Sequence, residues 1–172
     1  MKKTLTMIAV AAALLVPSLA SASMEQGRRA MRKALDLPMP EHVDLIPTGI
    51  YTLPEIASVG QSEHDARQAG VDVVTGRANF AELARGQISG SQDGLLKLVA
   101  DAATRRVLGC QIIGEGATEL VHLAQMAMMT GCEPDVFVEK IFNFPTLAEA
   151  YRVAALDLIG KLAARAGAAP PR

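Results

Sequence analysis

Tryptophan is absent from these 172 residues, and Phe, Tyr and Trp together make up only 3% of them. The apolar content is instead Ala, Leu, Val, Ile and Met. Surplus charge is missing too: 17 Lys and Arg stand against 18 Asp and Glu, a formal net charge of -1. A face that meets phosphates needs a basic surplus, so nucleic acid is not an expected partner. The two cysteines, Cys110 and Cys132, lack the close spacing of a zinc knuckle or a dithiol redox motif. They read as two buried or half-buried thiols, and a disulfide would require a strand end and a helix end to meet. No GxGxxG, GxxxxGK[ST] or HExxH occurs. The histidines His42, His64 and His122 are scattered. Glu119 and His122 are spaced to share a helix face, but no further ligands for a metal are evident. Spacing suggests no nucleophile–base–orienter set, which weakens any hydrolase reading.

What is present centres on the stretch from Gly94 to Gly131. Leu95, Leu96, Leu98 and Val99 form an apolar run broken by Lys97, as in a mostly buried strand. The polar segment Asp101 to Arg106 turns, and Val107 to Ile113 returns as a second strand. Ala117, Leu120, Val121, Ala124, Gln125 and Met128 then recur at helical spacing, with Gly131 as the stop. A hairpin feeding a helix implies an α+β core, with helices packed against an antiparallel sheet.

Elsewhere, Ser23 to Leu37 reads as a helix with Arg28, Arg29, Arg32 and Lys33 exposed. A solvated face is the expected role of these cations, ahead of contact with acidic lipid. Pro38, Pro40 and Pro47 mark a linker in which His42 faces solvent. Ile50 to Val59 is extended chain with an edge or bulge at Pro54. Ser62 caps a short helix to Ala69, with Asp65 echoing a capping box. Val71 to Phe80 is a strand, Phe80 to Leu83 a turn, and Ala84 to Gly90 includes a short extended piece. Asp135 to Ile141 is helical, Phe142 to Thr146 breaks it, and Leu147 to Ala166 is the last long helix. Residues 166–172 are a loose tail.

The N-terminus carries two signals. Lys2 and Lys3 precede an apolar stretch from Leu5 to Val16, and Ala20-Ser21-Ala22 fits a small-x-small cleavage pattern, so residues 1–22 resemble a secretory signal. The stretch falls short of the roughly 20 apolar residues of a membrane-spanning helix, so no stable span is expected. Export with cleavage before Ser23 gives a periplasmic or secreted protein; retention gives a cytoplasmic one.

Three segments resemble one family. Ile46-Pro47-Thr48-Gly49-Ile50-Tyr51-Thr52-Leu53-Pro54-Glu55-Ile56-Ala57-Ser58-Val59-Gly60 is similar to the start of the C-terminal dimerisation domain of the flavin-dependent pyridine nucleotide–disulfide oxidoreductases. The central stretch from Gly94 to Met128 resembles the same domain. Asn143-Phe144-Pro145-Thr146-Leu147-Ala148-Glu149-Ala150-Tyr151 looks like the signature of the soluble transhydrogenase branch. The resemblance runs from about Pro17 to Leu162 and implies a sheet of about five antiparallel strands with helices to one side. Within it, residues 23–45 are a helix and linker that resemble the end of the flavin domain, and the dimerisation domain spans residues 46–165.

The resemblance further implies that the domain pairs two subunits and brings Phe144, Pro145 and Glu149 towards the partner's flavin. Leu19 and Ala20 fall in a segment similar to the last flavin-domain loop, which approaches the flavin ring. Disulfide-reducing members carry a histidine before the proline. Phe144 stands there in this chain, and a phenyl ring carries no proton, so thiol–disulfide chemistry is not expected. The transhydrogenase branch, which moves hydride between nicotinamide cofactors, resembles this chain in lacking that histidine. The family's FAD and NAD(P) domains find no counterpart in the sequence. The expectation is an isolated dimerisation domain, from a shortened gene or a remnant joined to a secretion signal. It holds no cofactor alone and pairs with itself or with a full-length relative. The alternatives are a split oxidoreductase completed by a partner chain, and a self-associating binding module.

Overall fold

The computed structural model describes residues 20–39 and 45–167. The signal-like apolar stretch, Leu19, His42 and most of the expected tail lie outside the described residues. The chain divides into two units, residues 1–46 and 47–172.

In the first unit, Ala20–Ala34 forms helix α1, starting at Ala20 rather than at Ser23. Glu25 accepts two hydrogen bonds from the Arg28 guanidinium, at 2.7 and 2.6 Å. Arg32 and Lys33 occupy the last turn, where cations oppose the negative end of the helix dipole. Arg32 also donates to the Pro38 carbonyl at 2.9 Å, which folds the chain back beyond the helix end.

The second unit holds strands β1 (Thr48–Ile50), β2 (Ile56–Gly60), β3 (Val73–Asn79), β4 (Leu95–Asp101) and β5 (Val107–Ile113). They form one five-stranded sheet in the order β1-β2-β5-β4-β3, antiparallel throughout. The expected central hairpin is β4–β5, with Leu98 opposite Cys110. Asp101 closes its turn, accepting from the Ala103 and Thr104 amides at 2.7 and 3.2 Å. The extended segment around Pro54 is a hairpin of two short strands rather than one interrupted strand. Proline has no N–H for a ladder, so pairing stops on both sides of it.

Six helices complete the described residues: after α1 come α2 (Glu63–Gln68), α3 (Ala84–Ser89), α4 (Ala117–Met129), α5 (Val136–Glu139) and α6 (Glu149–Arg165), with a 3₁₀ turn at Phe80–Glu82. Helix α3 occupies the segment in which an extended piece was expected. Ala, Arg and Gln favour helix there, and Gly90, at φ 76°, stops it. Ser62 caps α2 as its sequence implies, accepting from the Asp65 amide at 3.1 Å.

Side chains alternate across the sheet. Ala57, Val59, Leu96, Leu98, Cys110 and Ile112 lie on one face and are buried beneath α4 and α6. On the opposite face the small helix α2 sets Ala66 against Val73 and Val99. The long helices thus share one side, as expected, and α2 adds a local cover on the other.

Candidate functional site at the start of the last helix

The segment before α6 is shaped by its own backbone. Lys140 ends α5 in an extended conformation. The Thr146 hydroxyl donates to the Asn143 carbonyl at 2.9 Å, and the Phe144–Pro145 peptide is cis. The Thr146 amide donates to Glu149 Oε2 at 3.3 Å, so the Glu149 carboxylate satisfies one of the unpaired amides at the helix start. Phe144 is 73% exposed and Ile141 fully exposed. The structure therefore brings Phe144, Pro145 and Glu149 together on one short loop and helix start. Ala20 belongs to the other unit, at the first residue of α1, and Leu19 lies outside the described residues.

Tyr151, two residues into α6 from Glu149, anchors this segment. It is wholly buried, and its hydroxyl donates to the Leu120 carbonyl on α4 at 2.6 Å. Its ring packs on Phe137 with centroids 4.9 Å apart. Cys110 Sγ on β5 lies 3.7 Å from the hydroxyl. Sequence spacing placed Tyr151 on the apolar stripe, but the hydrogen bond between helices had no local signal. Burial pushes the Tyr151 phenol far above its ordinary value, with Cys110 adding to the shift. Burial likewise pushes the Cys110 thiol up to about 12, against the opposing pull of the Tyr151 hydroxyl. Both groups stay neutral at physiological pH, and they do not serve as an acid–base pair.

Position 144 itself carries a phenyl ring, which holds no proton. His122 is turned to Gln125, with Nδ1 2.9 Å from Oε1. Among the described residues no cluster of His, Cys, Asp and Glu could hold a metal, and Cys110 and Cys132 are both free. No helix among them is long and apolar enough to cross a membrane. The arrangement offers contact: an exposed ring and a proline on a braced loop, with apolar side chains Leu123, Met126 and Met129 exposed along α4.

Residues 46–155 match the family model for the pyridine nucleotide-disulphide oxidoreductase dimerisation domain. The soluble pyridine nucleotide transhydrogenase of Pseudomonas savastanoi pv. phaseolicola is 46% identical over 149 residues, which is 85% of this chain and 32% of that relative. The protein of the same name from Mycobacterium bovis is 42% identical over 148 residues, again 32% of its length. Among solved structures, LpdA from Mycobacterium tuberculosis superposes with a TM-score of 0.72 at 27% identity, over 82% of this chain and 31% of that one. The HOCl-induced flavoprotein disulfide reductase RclA of Escherichia coli does so with a TM-score of 0.75 at 21% identity, over 81% of this chain and 32% of its own, a likeness of fold alone.

Proposed function

This chain belongs to the dimerisation-domain family of the pyridine nucleotide-disulphide oxidoreductases, and from that premise we propose that it is a subunit-pairing module of a transhydrogenase-like flavoprotein. It associates as a homodimer, or with a full-length relative, and completes no redox cycle alone. The observation that carries this reading is the loop that exposes Ile141 and Phe144 beside half-buried Pro145, braced by Glu149 and Tyr151. Solvent-facing apolar groups on a rigid support gain about 25 cal/mol per Å² when a partner covers them. A closed two-fold pair is the simplest way for identical copies to cover them.

The same loop fits one wall of a flavin site. Phe144 and Pro145 present an apolar edge, while the Glu149 carboxylate is already engaged by Thr146. Flavin, when bound, supplies hydride transfer between nicotinamides; this chain's residues supply packing and exclude water, with no proton carrier at position 144. Sedimentation across a wide concentration range tests the pairing. A dimer is expected, and a monomer throughout overturns it. Stoichiometric FAD uptake by this chain alone, with electrons passed between nicotinamides, overturns the claim that it completes no cycle.

A second reading starts from the match of residues 46–155 to a dimerisation domain. The chain then serves as one component of a split transhydrogenase-type enzyme whose partner brings the FAD- and NAD(P)-binding parts. Restored hydride transfer on mixing with such a partner supports it, and persistent inactivity removes it. The N-terminal pattern further leads us to propose export with cleavage before Ser23. An intact mass beginning at Met1 in cytoplasmic protein overturns that.

A further inference from the structure

An open sheet has two edges, and each offers unpaired N–H and C=O groups to another strand. Here the edges are β1 and β3. β1 is only three residues long and follows Pro47, which shortens what it can offer. β3 is seven residues long and pairs with β4 along its whole length, from Val73 opposite Asp101 to Asn79 opposite Leu95. Alternate residues of such a strand turn their backbone groups away from the sheet.

Thr75 and Arg77 are two of those residues, and both are engaged from α6. The Arg77 amide donates to Asp157 Oδ2 at 3.0 Å, and Lys161 Nζ donates to the Thr75 carbonyl at 3.0 Å. Asp157 and Lys161, one helical turn apart, are joined to each other at 2.6 Å. A carboxylate oxygen thus stands where the carbonyl of an added strand would accept, and an ammonium where its N–H would donate. The helix comes this close because residue 76 has no side chain. A Cβ on Gly76 would lie 1.9 Å from the Ala154 carbonyl oxygen and 2.7 Å from Leu158 Cβ. Further along α6, Arg165 Nη1 reaches Asp72, next to the start of β3, at 3.0 Å. Lys161 and Arg165, with Arg67, line a pocket of about 310 Å³ beside this edge, and these three cations are each paired with a carboxylate.

We propose that Asp157 and Lys161 guard the free edge of β3, so that copies of this chain cannot extend one another's sheet and their association is confined to side-chain surfaces. As an ion pair the two are half-exposed and contribute little; their effect is to occupy the donor and acceptor that a foreign strand would use. The guard matters most in a chain that brings copies together. Two freed β3 edges would pair with each other, and in copies already paired through a face this second contact would link pair to pair, so association would no longer stop at two.

The test compares the Asp157→Ala/Lys161→Ala double variant with the wild type over one concentration series, by light scattering and by the infrared amide band of intermolecular β-structure. The expected result is a weight-average mass roughly doubled or more relative to wild type, since each added strand carries a whole copy, with the intermolecular band rising alongside. Asp157→Asn, whose amide oxygen still accepts from the Arg77 amide, stays at the wild-type size. Arg165→Ala, which loosens the same helix without freeing Thr75 or Arg77, does so too. If the double variant does not fold, Lys161→Met keeps the stem and frees only the Thr75 carbonyl; a mass above wild type is expected. A folded edge variant that keeps the wild-type size overturns the proposal, and so does equal growth in Arg165→Ala. A wild-type monomer would remove the pairing function above while leaving this comparison intact.

Discussion

At the scale of single residues, chemistry here is set by what burial permits. Cys110 and Tyr151 face each other in the core, and desolvation holds each in its neutral form. With its thiol buried and pushed up to about 12, Cys110 stays in the unreactive thiol form at pH 8. Cys132 is half-buried just beyond the end of α4, its sulfur 3.2 Å from the Thr130 hydroxyl. A thiol-reactive dye at pH 8 is therefore expected to label one cysteine in the native protein, Cys132, and both after denaturation. Equal native labelling of Cys110 would mean that the Tyr151 region opens to solvent. Sequence spacing made Cys110 a strand residue and Tyr151 a helix residue. Their meeting, and the bond from Tyr151 to the Leu120 carbonyl, depends on which helix crosses which strand.

At the scale of elements, caps divide into local and distant ones. Ser62 caps α2 from the adjoining position, and the pattern of Ser62 and Asp65 announced it. Helix α4 starts at Gly116, which has no side chain with which to cap. Glu55 supplies the missing acceptor, taking the Thr118 amide at 3.0 Å and the Thr118 hydroxyl at 2.7 Å. These two bonds, the amide first, hold the Glu55 carboxyl below its usual range. A carboxyl lowered in the folded state contributes stability in full above its unfolded value, about 4.3. That contribution is lost as pH falls through the lower, folded value. Glu55→Ala is accordingly expected to cost about 1 kcal/mol in urea denaturation at neutral pH. The gap from wild type should narrow as the medium is acidified below the usual carboxylate range. A gap that stays constant into acid would show that the carboxylate is not what caps α4.

At the scale of the whole molecule, the contact of α6 with β3 orders the domain. It buries Ala154, Ala155 and Leu158 and carries the guard to the sheet edge. It rests on Gly76, where any Cβ meets helix backbone that a rotamer change cannot move aside. Gly76→Ala should lower stability by about 3 kcal/mol or more, the upper end of overpacking costs. Gly160 lies in the same helix, and a methyl group added there would meet nothing within 4 Å. Gly160→Ala is expected to raise stability by about 0.5–1 kcal/mol through backbone entropy and helix propensity. Thermal or urea melts of the two variants check both signs, and a mild Gly76→Ala phenotype would mean that α6 shifts away from β3 at little cost.

Much was determined by the amino-acid order alone: the β4–β5 hairpin and its helix, the Ser62 cap, the break at Phe144–Pro145, and the inability of position 144 to carry a proton. Each follows from the alternation of neighbours, helical spacing or the chemistry of one side chain. Folding in three dimensions decided the strand order, the hairpin at Pro54, and α3 in place of an extended piece. It also decided the bonds from Glu55 to Thr118, Arg77 to Asp157 and Thr75 to Lys161, which join residues 63, 80 and 86 positions apart. The physical reason is range. A local pattern shows which face of a strand or helix is apolar, but not which other face will cover it, nor where Gly76 lets two elements come close enough for their polar groups to meet.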